Sequence, residues 1–414
     1  MTRWTLLATL LLSSAAAAEP PCRLSSSMKG WTYLEGGCDN GLAAGKGKAR
    51  GPQGEEYEGA FANGLPEGEG TIKSADGSRY TGQWKAGLRH GQGTEISSTG
   101  TTYTGQWERD RHHGQGTLTT PTGIKYEGQW KDDEREGRGA ETLPDGTVYT
   151  GEWKAGERHG KGLLTTPRGE RFEGTFEKGL RQGPGSETLP DGTVRAGTWK
   201  DDRLTGAGTE TRKDGSRYEG QFLDGKRHGP GKETLPDGTV YTGAFQAGLR
   251  HGEGKEVSPR GVTYEGSWDA GVRSGKGTLS SKDGTRYVGE WKNGKTHGRG
   301  MLTTKAGMCY EGEWQDGKMH GRGKLTQPDG SLYEGDFVQG KRQGKGVEVL
   351  KDGSRYEGDW KNDLRYGKGK ATTPQWTYQG DWMDGKPHGD GVLVMKDGKR
   401  QEGVFSYGKF VGKR

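Results

Sequence analysis

The sequence predicts an all-β protein, an elongated twisted antiparallel sheet of stacked 23-residue hairpins. Three observations predict it. A Tyr-x-Gly-x-Trp motif returns every 23 residues, the glycines keep the same register, and each period reads as two short strands joined by turn residues. Calling the first motif residue position 0, the series starts at Tyr57, Tyr80, Tyr103, Tyr126 and Tyr149. It runs on through Phe172, Arg195 and Tyr218 to Tyr356 in equal steps. Tyr378 follows after one residue fewer, with the deletion near Pro374. A degenerate copy begins at Gln401, and stepping back from Tyr57 lands on Leu34. The array predicted over 34–412 therefore has about 17 units, 15 of them well formed, with atypical ends of the kind that cap a repeat stack.

Composition alone points the other way. Glycine makes up 81 of 414 residues and only 27% of the chain is hydrophobic, values that lean toward low complexity. Register decides the matter: 78 of the 81 glycines fall at positions 2, 7, 11, 13 and 20, and 30 of the 37 aromatic residues fall at positions 0 and 4. Disordered composition holds no such phase. Collagen is excluded because the glycines do not recur every third residue, and a multi-pass membrane protein because no stretch of about 18 apolar residues occurs.

Within a unit, Tyr80-Thr81-Gly82-Gln83-Trp84-Lys85 alternates apolar and polar residues, as a strand does. Ala86 to His90 forms the connection, and Gly91-Gln92-Gly93 opens the second strand. Asp-Gly at positions 19 and 20, as in Asp76-Gly77, supplies the turn into the next unit. Positions 0, 2 and 4 are expected to share a face with 11, 13 and 15, so that aromatic rings lie over strand glycines. The opposite face carries Glu, Gln, Lys and Thr. At about 4.8 Å per strand, seventeen hairpins imply a sheet roughly 160 Å long.

These units resemble the MORN repeat (membrane occupation and recognition nexus), most clearly in Tyr310-Glu311-Gly312-Glu313-Trp314 followed by Gly317 and His320-Gly321-Arg322-Gly323. The resemblance covers about 34–412. It implies hairpin stacks, frequent homodimers, and scaffold or membrane-apposition roles, with lipid or partner binding in some members. Some plant phosphoinositide kinases carry such repeats ahead of a kinase domain; here the repeats run to the end of the sequence, so kinase activity is not expected.

Residues 1–18 read as a signal peptide of bacterial type. Arg3 supplies the positive region, Leu6–Leu12 the apolar run, and Ala16-Ala17-Ala18 a cleavage site before Glu19. Residues 19–33 form an N-terminal cap segment. The expectation is export to the periplasm or outside the cell. In an oxidising compartment Cys22 and Cys38 are expected to pair, a loop for which chain entropy suggests about 3 kcal/mol. Cys309 is then left over, either as a tolerated thiol on the polar face or as an intermolecular bridge in a homodimer.

Candidate sites are few. Arginines at position 9 form a ridge of Arg89, Arg135, Arg158, Arg181, Arg227, Arg250, Arg273, Arg342 and Arg365. With Lys226, Lys318 and Lys341 they offer a surface for anionic lipid or acidic polymer; the alternative is a solvated edge balanced by the aspartates at position 19. Eight of the nine histidines sit at position 10, where a polar hairpin residue is expected and a weak metal site at neighbouring pairs is the alternative. Gly289–Thr296 fits the phosphate-loop expression, but its glycines are ordinary repeat positions and no strand-to-helix context surrounds it. No catalytic constellation, cofactor motif or zinc spacing stands out. With 62 basic against 56 acidic residues, nucleic acid is not an expected partner. The reading is a non-catalytic extended scaffold or binding protein, joining a protein partner or envelope component. The alternative is a module for surface polymer or anionic lipid.

Overall fold

A computed structural model describes residues 22–413. The signal-peptide reading of 1–18 lies outside the described residues, as do positions 19–21 of the cap segment. The chain divides into two compact units, 1–183 and 184–414. Among the described residues there are 34 strands and no helix, from Thr32–Asp39 to Lys409–Gly412. Within each unit strands pair antiparallel with their neighbours in sequence, so each unit is an up-and-down meander.

Turn chemistry sets the two hairpin connections. At positions 6 and 7 both residues have positive φ, as in Ala86 (49°) and Gly87 (83°), giving the two-residue turn whose twist matches the strands. Where glycine is missing from position 7, Asp takes its place with positive φ, as in Asp132-Asp133 and Asn362-Asp363. The second connection is a five-residue loop. Ser74 N–H donates to Ser78 O, Gly77 N–H donates to Ser74 O, and Gly77 holds φ 91°. The Asp76 side chain accepts from Ser78 N–H at 2.9 Å, and this bond holds its carboxyl below the usual carboxylate range.

The core of each unit is a row of rings. Tyr at position 0 and Trp or Phe at position 4 are nearly all less than a tenth exposed. Each Tyr meets the ring of its own unit edge-on and the ring of the next unit likewise; Tyr80 lies 5.3 Å from Trp84 and 5.1 Å from Trp107. Glycine makes this possible. A Cβ on Gly93 would stand 2.3 Å from Tyr80 Oη and 2.4 Å from its ring, and Gly82 is equally closed. Tyr80 Oη donates to Gln83 O at 2.9 Å, and Trp84 Nε1 donates to Gly70 O at 3.2 Å, so both buried polar atoms are satisfied.

Two departures from the expected register have physical causes. The first hairpin seats Tyr33, not Leu34. Tyr33 packs against Phe61 at 5.4 Å while Leu34 is exposed, and irregular pairing between Tyr33 and Glu35 absorbs the one-residue slip. In the 195 unit Arg195 replaces the ring, and Leu204 at position 9, 1% exposed, fills the vacated space above Gly197.

Candidate functional site

A bulge recurring from repeat to repeat sets which ring each ridge position faces. Gly91 at position 11 has φ 61°, and the pairing of the hairpin slips between Gly82 and Trp84, so that Trp84 faces Arg89. The slip is two residues, so position 9 keeps the facing of positions 13 and 15 and lies on the aromatic face. The N–H left over by the bulge, at position 12, is capped by the side chain at position 3: Gln92 N–H donates to Gln83 Oε1 and Lys345 N–H to Asp336 Oδ2.

The arginines consequently lie over rings instead of forming an outward edge. Arg89 sits 4.2 Å from the Trp107 ring, Arg135 4.2 Å from Trp153, Arg342 4.1 Å from Trp360, and Arg227 4.8 Å from Tyr218. Their charge is met by glutamates at position 15, not by the position-19 aspartates. In the second unit a continuous ladder runs Glu210, Arg227, Glu233, Arg250, Glu256, Arg273, with N–O distances of 2.5 to 2.9 Å. Arg158 and Arg365 close the same kind of pair with Glu141 and Glu348, and Arg181 lies 5.3 Å from the Phe172 ring. Burial alone would raise the Glu210 carboxyl, but Arg227, Arg195 and Arg212 outweigh it and hold it low. The neighbouring His112 imidazole and the charge of Arg89 likewise lower Glu95 against its burial. Desolvation pushes the ring hydroxyls up, to about 12 for Tyr126, Tyr149, Tyr218, Tyr241, Tyr264 and Tyr378.

This pairing was not among the expectations, although its signal is present in the sequence. Every position-9 arginine has a glutamate at position 15 of its own or the preceding repeat. Where the flanking position-15 residues are Leu279, Leu302 and Leu325, position 9 holds Thr296 and Met319. His112 is the one histidine outside position 10, and it occupies the arginine's place, stacked 3.6 Å from Tyr103 and 3.6 Å from Glu95.

Cys22 and Cys38 form a disulfide, with Cα atoms 5.6 Å apart. Cys309 is a half-buried thiol whose strand lies between Thr303 and Thr326, less exposed than the polar face suggested. The phosphate-loop expression falls on the hairpin between Arg286–Lys292 and Lys295–Thr303. His297 and His320 face Glu290 and Glu313 across their hairpins, and no group of three or more metal-ligating side chains occurs among the described residues.

The opposite face is open. Over residues 288–400 it forms a groove of about 2000 Å³. Along position 14 its floor alternates aliphatic Met301, Val347 and Val392 with Lys324 and Lys370, and Leu332 lies beside them. Position 12 along the groove reads Arg299, Arg322, Lys345, Lys368. No aromatic side chain lines it. In the first unit part of the corresponding face is hydroxylic, with Thr71 bonded to Thr81 and Thr94 to Thr104 at 3.1 Å, between charged stretches that hold Lys48 with Glu35 and Lys125 with Glu127.

The MORN-repeat profile matches fifteen consecutive segments spanning 57–400. The chain belongs to the MORN-repeat family. Its matched segments follow the hairpins described above, including the 356–377 MORN segment that carries the short step. Solved structures give weaker likenesses. The SAS-4 TCP domain of Drosophila melanogaster, in complex with a proline-rich motif of Ana2, is 14% identical, covering 44% of this chain and 99% of that one at TM-score 0.27. The TCP10 domain of Danio rerio CPAP with a STIL peptide is 14% identical over 65% and 93%, at TM-score 0.17. Virginiamycin B lyase of Staphylococcus aureus is 13% identical over 72% and 96%, at TM-score 0.12. Scores this low carry no functional argument. No curated protein is significantly similar.

Proposed function

We infer that this MORN protein is a non-catalytic, exported scaffold that holds a protein partner or envelope component against its open face. One observation carries the reading. The aromatic face is closed by its own Arg–Glu ladder, whereas the other face presents a long solvent-open groove over 288–400. Such a groove exceeds the roughly 300–1,000 Å³ of small-molecule sites and suits an extended binding partner. Export is supported by the Met1–Ala18 pattern and by the Cys22–Cys38 bridge, which persists in oxidising compartments.

Crosslinking of intact cells of the source organism with a membrane-impermeant amine reagent tests both halves. The expected product joins lysines of the 288–400 face to one envelope component. Recovery of the chain unlabelled in the cytosol would sink export, and labelling without any heterologous product would sink the scaffold role.

A further inference from the structure

The geometry points to the 288–400 groove as the docking site of an acidic polypeptide held in an extended, three-residue-per-turn conformation. This rests on the scaffold reading and names its partner's chemistry.

Three features converge. The first is charge. Eight cationic side chains line the groove against four acidic ones. The position-1 glutamates already face lysines across the ladder, Glu311 opposite Lys324 and Glu357 opposite Lys370. The position-12 cations are more available. Arg322, Lys345 and Lys368 are 86%, 72% and 73% exposed, and each has a single surface pair, with Asp336, Asp359 and Asp381. Those aspartates are held by a structural task, since Asp336, Asp359 and Asp381 also accept the bulge N–H of residues 345, 368 and 390. Exposed pairs of this kind are worth little, so a guanidinium or ammonium can turn to an incoming carboxylate at small cost.

The second feature is spacing. Arg299, Arg322, Lys345 and Lys368 stand on every second strand, about 9.6 Å apart at 4.8 Å per strand. A polyproline-II chain advances about 9.3 Å per three-residue turn. A carboxylate at every third residue therefore meets each cation in succession, and a run of about fifteen residues fills the groove.

The third is the floor. At position 14 apolar residues and lysines alternate, Met301, Lys324, Val347, Lys370, Val392, beside the cation row. Aliphatic side chains on a second face of the same peptide would settle there. Single-stranded nucleic acid is disfavoured, because the groove offers no aromatic platform for bases.

The test uses the full mature chain and fluorescence anisotropy with a labelled peptide repeating Glu-Pro-Val. A control peptide of equal charge carries Glu at every fourth residue, and dextran sulfate serves as a non-peptide polyanion. The expected results are saturable binding of the three-residue repeat and at least about tenfold weaker binding of the control. A similar loss is expected in the Arg322→Gln/Lys345→Gln variant, whose unchanged tryptophan fluorescence would show that the rings remain packed. Equal binding of both peptides, or of dextran sulfate with the same salt dependence, would reduce the groove to a general polyanion surface and overturn the proposal. So would an undiminished affinity in the variant. If cell crosslinking still captures an envelope partner in that variant while the peptide does not bind, the groove assignment fails and the scaffold reading stands.

Discussion

Glu141 is the centre of a compact test of the Arg–Glu cover. Its two carboxylate oxygens accept from Arg135 at 2.5 Å and Arg158 at 2.8 Å, and its side chain is 10% exposed, against 30% and 20% for the arginines. Arg135 also donates to Gly156 O at 2.7 Å and lies over Trp153. Leu118 and Leu164 occupy position 15 on either side, so the triad is isolated from the next ladder. Glu141→Leu strands two half-exposed cations that keep their rings and some water, a loss of about 2–3 kcal/mol. The double variant Arg135→Met/Arg158→Met strands the buried carboxylate instead, and should lose about 3–5 kcal/mol. An unpartnered buried carboxylate has a raised pKa in the folded state. The double variant's deficit should therefore be full at neutral pH and shrink as pH falls below that raised value. Combining all three substitutions copies the apolar arrangement of Met319 and Leu325, and should return stability to within about 1 kcal/mol of the parent. Hydrogen exchange of amides in residues 126–165 is the suitable assay, because repeat arrays open locally and a single global unfolding energy is poorly defined. A triple variant exchanging as fast as the arginine double variant would refute the claim that ionic and apolar covers are interchangeable.

The other predictions concern the core and the termini of pH. Gly93→Ala places a Cβ against the Tyr80 ring and should cost about 3 kcal/mol, whereas Gly77→Ala, with φ 91° but no neighbour within 4 Å, should cost about 1 kcal/mol; exchange in the 80–96 hairpin separates them. The Tyr218 and Tyr241 hydroxyls have folded values raised by burial to about 12 from the ordinary 10, so their contribution to stability is full below pH 10 and is lost as pH rises toward 12. Tyrosinate absorbance should thus appear together with loss of structure, and a titration at pH 10 in the folded chain would contradict it. For Glu210, held low by its arginines, the sign reverses: stability is present above the ordinary carboxylate value and is lost as pH falls through the depressed one, so acid should loosen residues 203–223 in step with carboxyl protonation followed by NMR. Reducing Cys22–Cys38 should remove about 3 kcal/mol from the first hairpin and leave exchange beyond residue 73 unaltered.

Most of the fold was legible because a repeat states its pattern many times. Tyr-x-Gly-x-Trp exposed the strand face, and Asp-Gly marked one turn with its positive φ. The arginine side was misjudged for a reason internal to strands. The slip at the bulge is two residues, Gly82 pairing with Gly93 and Trp84 with Arg89, so alternation survives it and position 9 shares the aromatic face with positions 13 and 15. The ridge was expected at an edge because that alternation was not carried back past position 11. Gly91 announces that bulge only through a φ that sequence does not print. The correlated exchange of Arg with Glu for Met or Thr with Leu was readable, since it compares units of one chain. The groove was harder to find. Its distinguishing residues lie at positions that vary from repeat to repeat in the first unit, Lys46, Glu69, Gln92 and Gln115 at position 12, so they look like surface variation until the sheet sets Arg299, Arg322, Lys345 and Lys368 in line.

The nearest-neighbour pairing of strands has a mechanical consequence. Tension applied along the stacking direction of a unit loads the outermost strand's hydrogen bonds in succession, never all strands at once. A hairpin can therefore peel away while the one behind it keeps its ring, its bulge cap and its turn. Each detached 23-residue repeat would lengthen the chain by about 70 Å, the difference between extended polypeptide and the two strand widths it occupied. The construction yields stepwise under load and re-forms stepwise when released, as an extensible tether does.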